Sequence, residues 1–140
     1  MLIGANKRQD KIRVERINHD IVVIETAIYF ALKRGIEIEN IVTEKELHSK
    51  QGFGNRKHYP DFVIEQDDKK CCVEVELTAK SKQNLEKILE ENYTTYDVQY
   101  YVLYKNGHKI KSMLDELSVK YGNIEIINVE EVQEIVRENK

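Results

Sequence analysis

Three carboxylates carry the chemistry that this sequence suggests. Asp61 follows Pro60 at the head of an apolar run, and Glu74 and Glu76 stand two residues apart in CCVEVELT, residues 71–78. Side chains two apart on a strand share a face, so both glutamates would project together, about 6–7 Å apart at the backbone. Hairpin pairing of the two segments would bring Asp61 beside them. Carboxylates gathered in this way repel unless protons or a cation neutralise them. A hard divalent ion such as Mg2+ takes such oxygens, with water filling its remaining positions. It could activate water and stabilise charge on a phosphodiester. The same alternation also describes a strand whose polar face meets solvent, and spacing alone leaves both readings open.

The elements that would position these acids follow from periodicity and punctuation. Lys7 to Arg16, with five basic and two acidic residues, reads as an exposed arm or a frayed helix start. This divides the chain into a basic arm, 1–17, and a single domain, 18–140. Asn18 to Arg34 reads as a helix capped by Asn18 and ended by Gly35. Its IVVIETAIYFAL is apolar on nearly every side, which predicts burial on more than one face. From Glu39 to Leu47 the β-branched Ile41, Val42 and Thr43 suggest a strand, and Ser49–Tyr59 is a basic, glycine-containing loop. Pro60–Gln66 and Cys71–Thr78 read as an antiparallel hairpin turning at DDKK. Lys80–Tyr93 is a helix, and Val98–Tyr104 is a strand covered on both faces. After Asn106–Gly107, a helix over His108–Tyr121, a strand over Ile124–Val129 and a helix over Glu130–Glu138 complete the chain. The order α-β-β-β-α-β-α-β-α is an α/β sandwich around one central mixed sheet.

Proline-aspartate at a strand start, then a strand bearing E-x-E, then a helix, resembles the PD-(D/E)xK nuclease superfamily, the restriction-endonuclease-like fold. The resemblance spans about Asn18 to Tyr104 and implies an α-β-β-β-α-β core with metal-binding acids on the second and third strands. It implies Asp61, Glu74 and Glu76 as catalytic metal ligands for Mg2+ or Mn2+, with the main-chain oxygen of Val75 completing the set. The family usually has lysine two residues after the second acid, where this chain has Glu76. Lys80 and Lys82 are the candidates to replace that lysine. Lys80 would orient water or stabilise charge, unless it is only a solvent-facing residue at the helix start.

H-x-P-D (His58 to Asp61), VEVELTAKS (Val73 to Ser81) and a helix leading to a tyrosine-rich strand are similar to the replication-relaxation family of plasmid and integrative elements. His19 and its apolar helix are similar to the start of that family's nuclease-like domain. The winged helix that usually precedes it is missing here, or survives only as the basic tail Lys7 to Arg16. This resemblance implies a DNA-processing protein of a mobile element or plasmid, acting in replication or mobilisation and, if active, as a metal-dependent DNA endonuclease. The alternative is a catalytically inactive module of the same fold that binds DNA or a relaxase or replication partner.

Other residues join the picture. Glu25, inside the apolar first helix, is an additional acid that could point to the cluster or be held locally. Lys50, Arg56, Lys57 and His58, just ahead of Asp61, are the candidates for phosphate contact, though a solvated loop has the same composition. His19, His48 and His108 show no metal-ligand spacing. Tyr93, Tyr96, Tyr100, Tyr101 and Tyr104 could stack bases or pack the core. Val132, Ile135 and Val136 on the last helix offer a face for a homodimer.

Composition bounds these readings. The chain has 140 residues, 41% hydrophobic and 34% charged, with one proline and a net charge of −3. That suits one soluble domain. A pI of about 5.9 disfavours a protein that wraps nucleic acid with a wholly basic surface, but allows a local basic groove. Phosphate-cradling glycine loops and G-x-S-x-G are absent from the sequence. It also has no apolar run of membrane-spanning length and no signal-peptide core. Adjacent Cys71 and Cys72 suit a reduced, cytoplasmic protein.

Overall fold

A computed structural model describes residues 7–51 and 58–139. The first helix, α1 (Lys7–Lys33), takes in the segment Lys7 to Arg16, so of arm or helix start it is the helix start. Asn18 therefore lies inside the helix rather than capping it, and its side-chain amide donates to Tyr104 Oη at 2.9 Å. The C-terminus behaves as glycine punctuation predicts. Gly35 adopts φ +66°, and Ile36 N–H reaches back to Phe30 O at 3.2 Å, the pattern that closes a helix through a left-handed residue.

The segment after β1 (Ile41–Thr43) does not run on as a strand to Leu47. It turns at once into α2 (Glu44–Gln51). Thr43 and Glu46 form the reason: Glu46 N–H donates to Thr43 Oγ1 at 3.3 Å, and Glu46 Oε1 accepts from Thr43 N–H at 3.4 Å. This T-x-x-E reciprocity is a capping box, which starts a helix where β-branched residues alone suggest extension.

The hairpin is built as expected, with shifted bounds. β2 (Phe62–Gln66) pairs antiparallel with β3 (Lys69–Val75). Asp67 and Asp68 both take positive φ, 54° and 62°, as a two-residue type I′ hairpin turn requires. Five elements follow in order: α3 (Lys82–Thr95), β4 (Val98–Leu103), α4 (His108–Leu117), β5 (Ile124–Asn128) and α5 (Val129–Glu138). Ser81 caps α3 by accepting from Asn84 N–H at 3.2 Å. Ser81→Ala is therefore expected to cost about 1 kcal/mol, read as a lower urea midpoint.

The five strands lie in the order β1-β2-β3-β4-β5. The first three pair antiparallel; β4 runs parallel to both β3 and β5. Helices cover both faces. On one, Val22, Tyr29 and Phe30 of α1 and Val129 and Val132 of α5 pack on Phe62, Val73, Val75 and Val102. On the other, Leu85 and Leu89 of α3 and Ile110, Leu114 and Leu117 of α4 pack on Tyr101 and Leu103. Tyr101 is wholly buried, and its hydroxyl donates to Gln99 Oε1, so it serves packing rather than base stacking.

Two expectations about helix faces change. The first helix buries one face only: Ile17, Ile21, Ile24, Ile28 and Leu32 stand exposed opposite it. The last helix is no free dimer face, because Val132 is buried against the sheet and α1 of the same chain. Lys33 of α1 pairs with Glu131 of α5 at 3.2 Å. Cys71 and Cys72 are free and buried. Among the described residues no helix is long and apolar enough to cross a membrane.

Candidate active site

The acids meet where β2 begins and β3 ends. Asp61 N–H donates to Val73 O at 3.1 Å, and Asp61 Oδ2 accepts from Val75 N–H at 2.7 Å. The Phe62–Val73 pairing, continued by one residue, sets Asp61 opposite Glu74 across the hairpin. Glu74 and Glu76 are 2% and 5% exposed, which overturns the solvated-strand reading of E-V-E. Carboxylates are almost never this buried unless they are paired.

Each acid has its own base. Asp61 Oδ1 lies 3.3 Å from His19 Nε2, on α1. Glu74 Oε2 accepts from His58 Nε2 at 2.7 Å and from Asn92 Nδ2, on α3, at 2.8 Å. Glu76 Oε1 accepts from Lys80 Nζ at 3.0 Å. Three acid–base pairs, drawn from α1, the segment before β2, β3 and its exit, and α3, thus close one end of the sheet.

Their proton affinities follow from burial and pairing. Burial pushes the Glu74 carboxyl above its ordinary range; His58 opposes that, and the charge of Asp61 adds to it. Burial likewise raises Glu76 against the pull of Lys80, with Glu74 and Asp61 adding to the rise. For His58, burial works against the imidazolium, but the hydrogen bond and charge of Glu74 outweigh it and raise its proton affinity. His19 is pushed up to about 9, chiefly by its hydrogen bond to Asp61. These mutual shifts mark the three acids as one electrostatic unit.

That shift is directly measurable in the metal-free protein. The imidazole carbons of His19 should titrate near pH 9 by NMR, and Asp61→Asn should return the midpoint toward the ordinary 6.5. A folded-state value above the unfolded one gives stability that is complete below about 6.5 and is lost as pH rises through about 9. The stability advantage of wild type over His19→Gln should therefore shrink across that window.

A cleft of about 280 Å3 opens beside the acids, between the N-terminal half of α1 and the segment leaving β3. Arg16, His19 and Lys80 line it together with Glu15 and the buried Glu76. The larger cleft, about 780 Å3, reaches Asp61 at one end but is otherwise largely apolar and lies on the β1 side of α1.

The remaining expected residues divide. Lys80 is half-exposed but tied to Glu76, not simply facing solvent, whereas Lys82 pairs with Glu116. His58 neutralises Glu74 instead of standing free for phosphate. Glu25 is held by Gln133 Nε2 at 3.1 Å, facing α5 and not the acids. Lys50 is exposed on α2; Arg56 and Lys57 lie outside the described residues. His19, Arg16 and Asn92 were not assigned to the site from sequence. Asn92 had a signal: it continues the buried Leu85–Leu89 stripe of α3, where a polar residue needs a buried partner.

A hard divalent ion suits this donor chemistry through Asp61 and Glu74, opposed carboxylates on paired strands. Mg2+ is commonly held by one or two carboxylates, with water and substrate phosphate supplying the rest. Glu76 is engaged by Lys80, and among the described residues no group of three or more His, Cys, Asp and Glu side chains is disposed to hold an ion. The described residues thus do not gather Asp61, Glu74 and Glu76 into the expected three-carboxylate set. No family model, no curated protein and no solved structure matches the chain.

Proposed function

We propose that the chain is a nuclease-like phosphodiesterase domain of a DNA-processing protein from a mobile element or plasmid, working with Mg2+ or Mn2+ in a restriction-endonuclease-like arrangement. The observation that carries this reading is the return of Lys80 to Glu76 at 3.0 Å. It brings an ammonium back to the strand position where the nuclease pattern has its lysine. Support also comes from the antiparallel β1-β2-β3 meander with β4 parallel to β3, and from acids at the β2 start and on β3.

In this reading Asp61 and Glu74 hold the ion, with the main-chain oxygen of Val75 as a further donor. When bound, the ion would supply Lewis-acid activation of water and neutralise charge on the phosphoryl group. Arg16, His19 and Lys80, around the cleft, receive the phosphate, which binds as a charge-assisted acceptor. Glu76 keeps the Lys80 ammonium turned into the cleft, where it offsets charge developing on the phosphoryl oxygens. His58 and Asn92 fix the Glu74 carboxylate, so it approaches its partner pre-oriented.

A second reading has its own observation. Every acid of the cluster already has an internal base, as a closed structural network would. A module that binds DNA, or a relaxase or replication protein, without cutting would look the same. Supercoiled plasmid incubated with Mn2+ separates the two. Nicking or linearisation by wild type, lost in Asp61→Ala, supports the nuclease. Retention of plasmid in a gel shift without any cleavage supports the binding module and removes the nuclease.

A further inference from the structure

The face of α1 turned away from the core carries a heptad pattern that the described residues leave uncovered. Val14, Ile17, Ile21, Ile24, Ile28 and Ala31 follow one another at steps of 3, 4, 3, 4 and 3 residues. That is the a/d seam of a coiled coil. Val14 is 64% exposed and Ile24 61%. A monomer rarely shows so continuous a stripe of β-branched side chains to water. The core-facing residues Val22, Thr26, Tyr29 and Phe30 lie on the opposite side of the helix.

The N-terminal half of the helix is largely exposed. Residues 8–18 are exposed all round, a length of about 16 Å. The other half of the seam borders the apolar groove of about 780 Å3, walled by Ile24, Ile28, Leu32, Ile38, Ile41 and Phe62. On its seam side, one half of α1 is thus an exposed apolar ridge, and the other half is one wall of a groove. The charges match the same division. The N-terminal half holds Arg8, Lys11, Arg13 and Arg16 against Asp10 and Glu15, while Asp20, Glu39, Glu44 and Glu46, with one base, Lys45, line the groove.

We propose that a second copy of this chain covers the groove through an antiparallel α1–α1 pair. A two-fold axis between Ile21 and Ile24 sets Val14 on the partner's Ala31, Ile17 on the partner's Ile28 and Ile21 on the partner's Ile24. Each copy then lays its ridge in the groove of the other, and each basic half crosses the acidic side of the other, as an isologous interface requires. A parallel pair would instead set Asp20 beside the partner's Glu25, like against like. The seam lies on the opposite side of α1 from His19 and Arg16, so the dimer leaves the phosphate cleft open.

Light scattering and sedimentation of the full chain test this. Wild type should have twice the chain mass across the micromolar range. Ile24→Glu and Ile21→Lys should each weaken self-association at least about 100-fold, with helical circular dichroism unchanged because both residues are exposed. Mixing the two variants should restore a dimer, because antiparallel register sets residue 24 of one against residue 21 of the other. A wild-type monomer or trimer, persistence of the Ile24→Glu dimer, or failure of the mixture to associate would overturn the proposal.

Discussion

Glu74→Gln is expected to reduce Mn2+-dependent plasmid cleavage by at least about 100-fold, the scale on which loss of a single oriented charge in an active site acts. The same substitution should leave thermal stability unchanged or slightly higher. Glutamine keeps an oxygen that can accept from His58 and Asn92, while the cost of burying a charge disappears. Opposite movements of activity and stability are the signature of a carboxylate kept for chemistry. A purely structural Glu74 would lose stability and leave nothing else to lose. Cleavage rate and melting temperature, measured on one preparation, distinguish the two.

Lys80→Met should lower stability by about 1–3 kcal/mol. Removing one partner of a fully buried ion pair costs more, about 3–5 kcal/mol, but the Lys80 side chain is 38% exposed and water already screens part of the interaction. Met retains most of the aliphatic stem, so the loss reports on the uncompensated Glu76 charge. The double variant Glu76→Gln/Lys80→Met should recover most of it, giving a coupling energy of the same size in a urea double-mutant cycle. The dependence on pH has a definite sign. The folded-state pKa of Glu76 lies above its ordinary 4.5, and loss of the lysine raises it further. The penalty of Lys80→Met is therefore present at neutral pH, and it vanishes as pH falls and Glu76 takes a proton in both folded and unfolded chains.

The sequence was most informative where periodicity met punctuation. The alternation of residues 71–78 and the Asp67–Asp68 turn placed the hairpin, and Gly35 placed the end of α1. The same local signals misled where a longer-range or subtler term decided. Ile41, Val42 and Thr43 are β-branched, and the Thr43–Glu46 capping box that ends their strand has to be weighed against that propensity. The basic residues 7–16 suit either an arm or a helix start, and the 3–4 spacing through Val14 and Ile17 is what joins them to α1. The acids Asp61, Glu74 and Glu76 were visible because their spacing is local. Their bases were not. His19 lies 42 residues before Asp61 in the sequence and reaches it from another element, and Asn92 reaches Glu74 from a helix. Pairings of that kind are set by packing α1 and α3 on the sheet, which no local pattern records. The acidic excess of the chain, which weighs against nucleic acid when read as a whole, is partly internal: two of those acids are buried at the end of β3, and the cleft beside Glu76 carries three basic side chains along with Glu15.

The most direct measurement is calorimetric titration of the metal-free protein with Mn2+. The account predicts saturable binding by wild type that disappears in Asp61→Ala and in Glu74→Gln and persists in Lys80→Met, since Lys80 serves the phosphate and not the ion. No binding by wild type, or binding unchanged by loss of either Asp61 or Glu74, would contradict it.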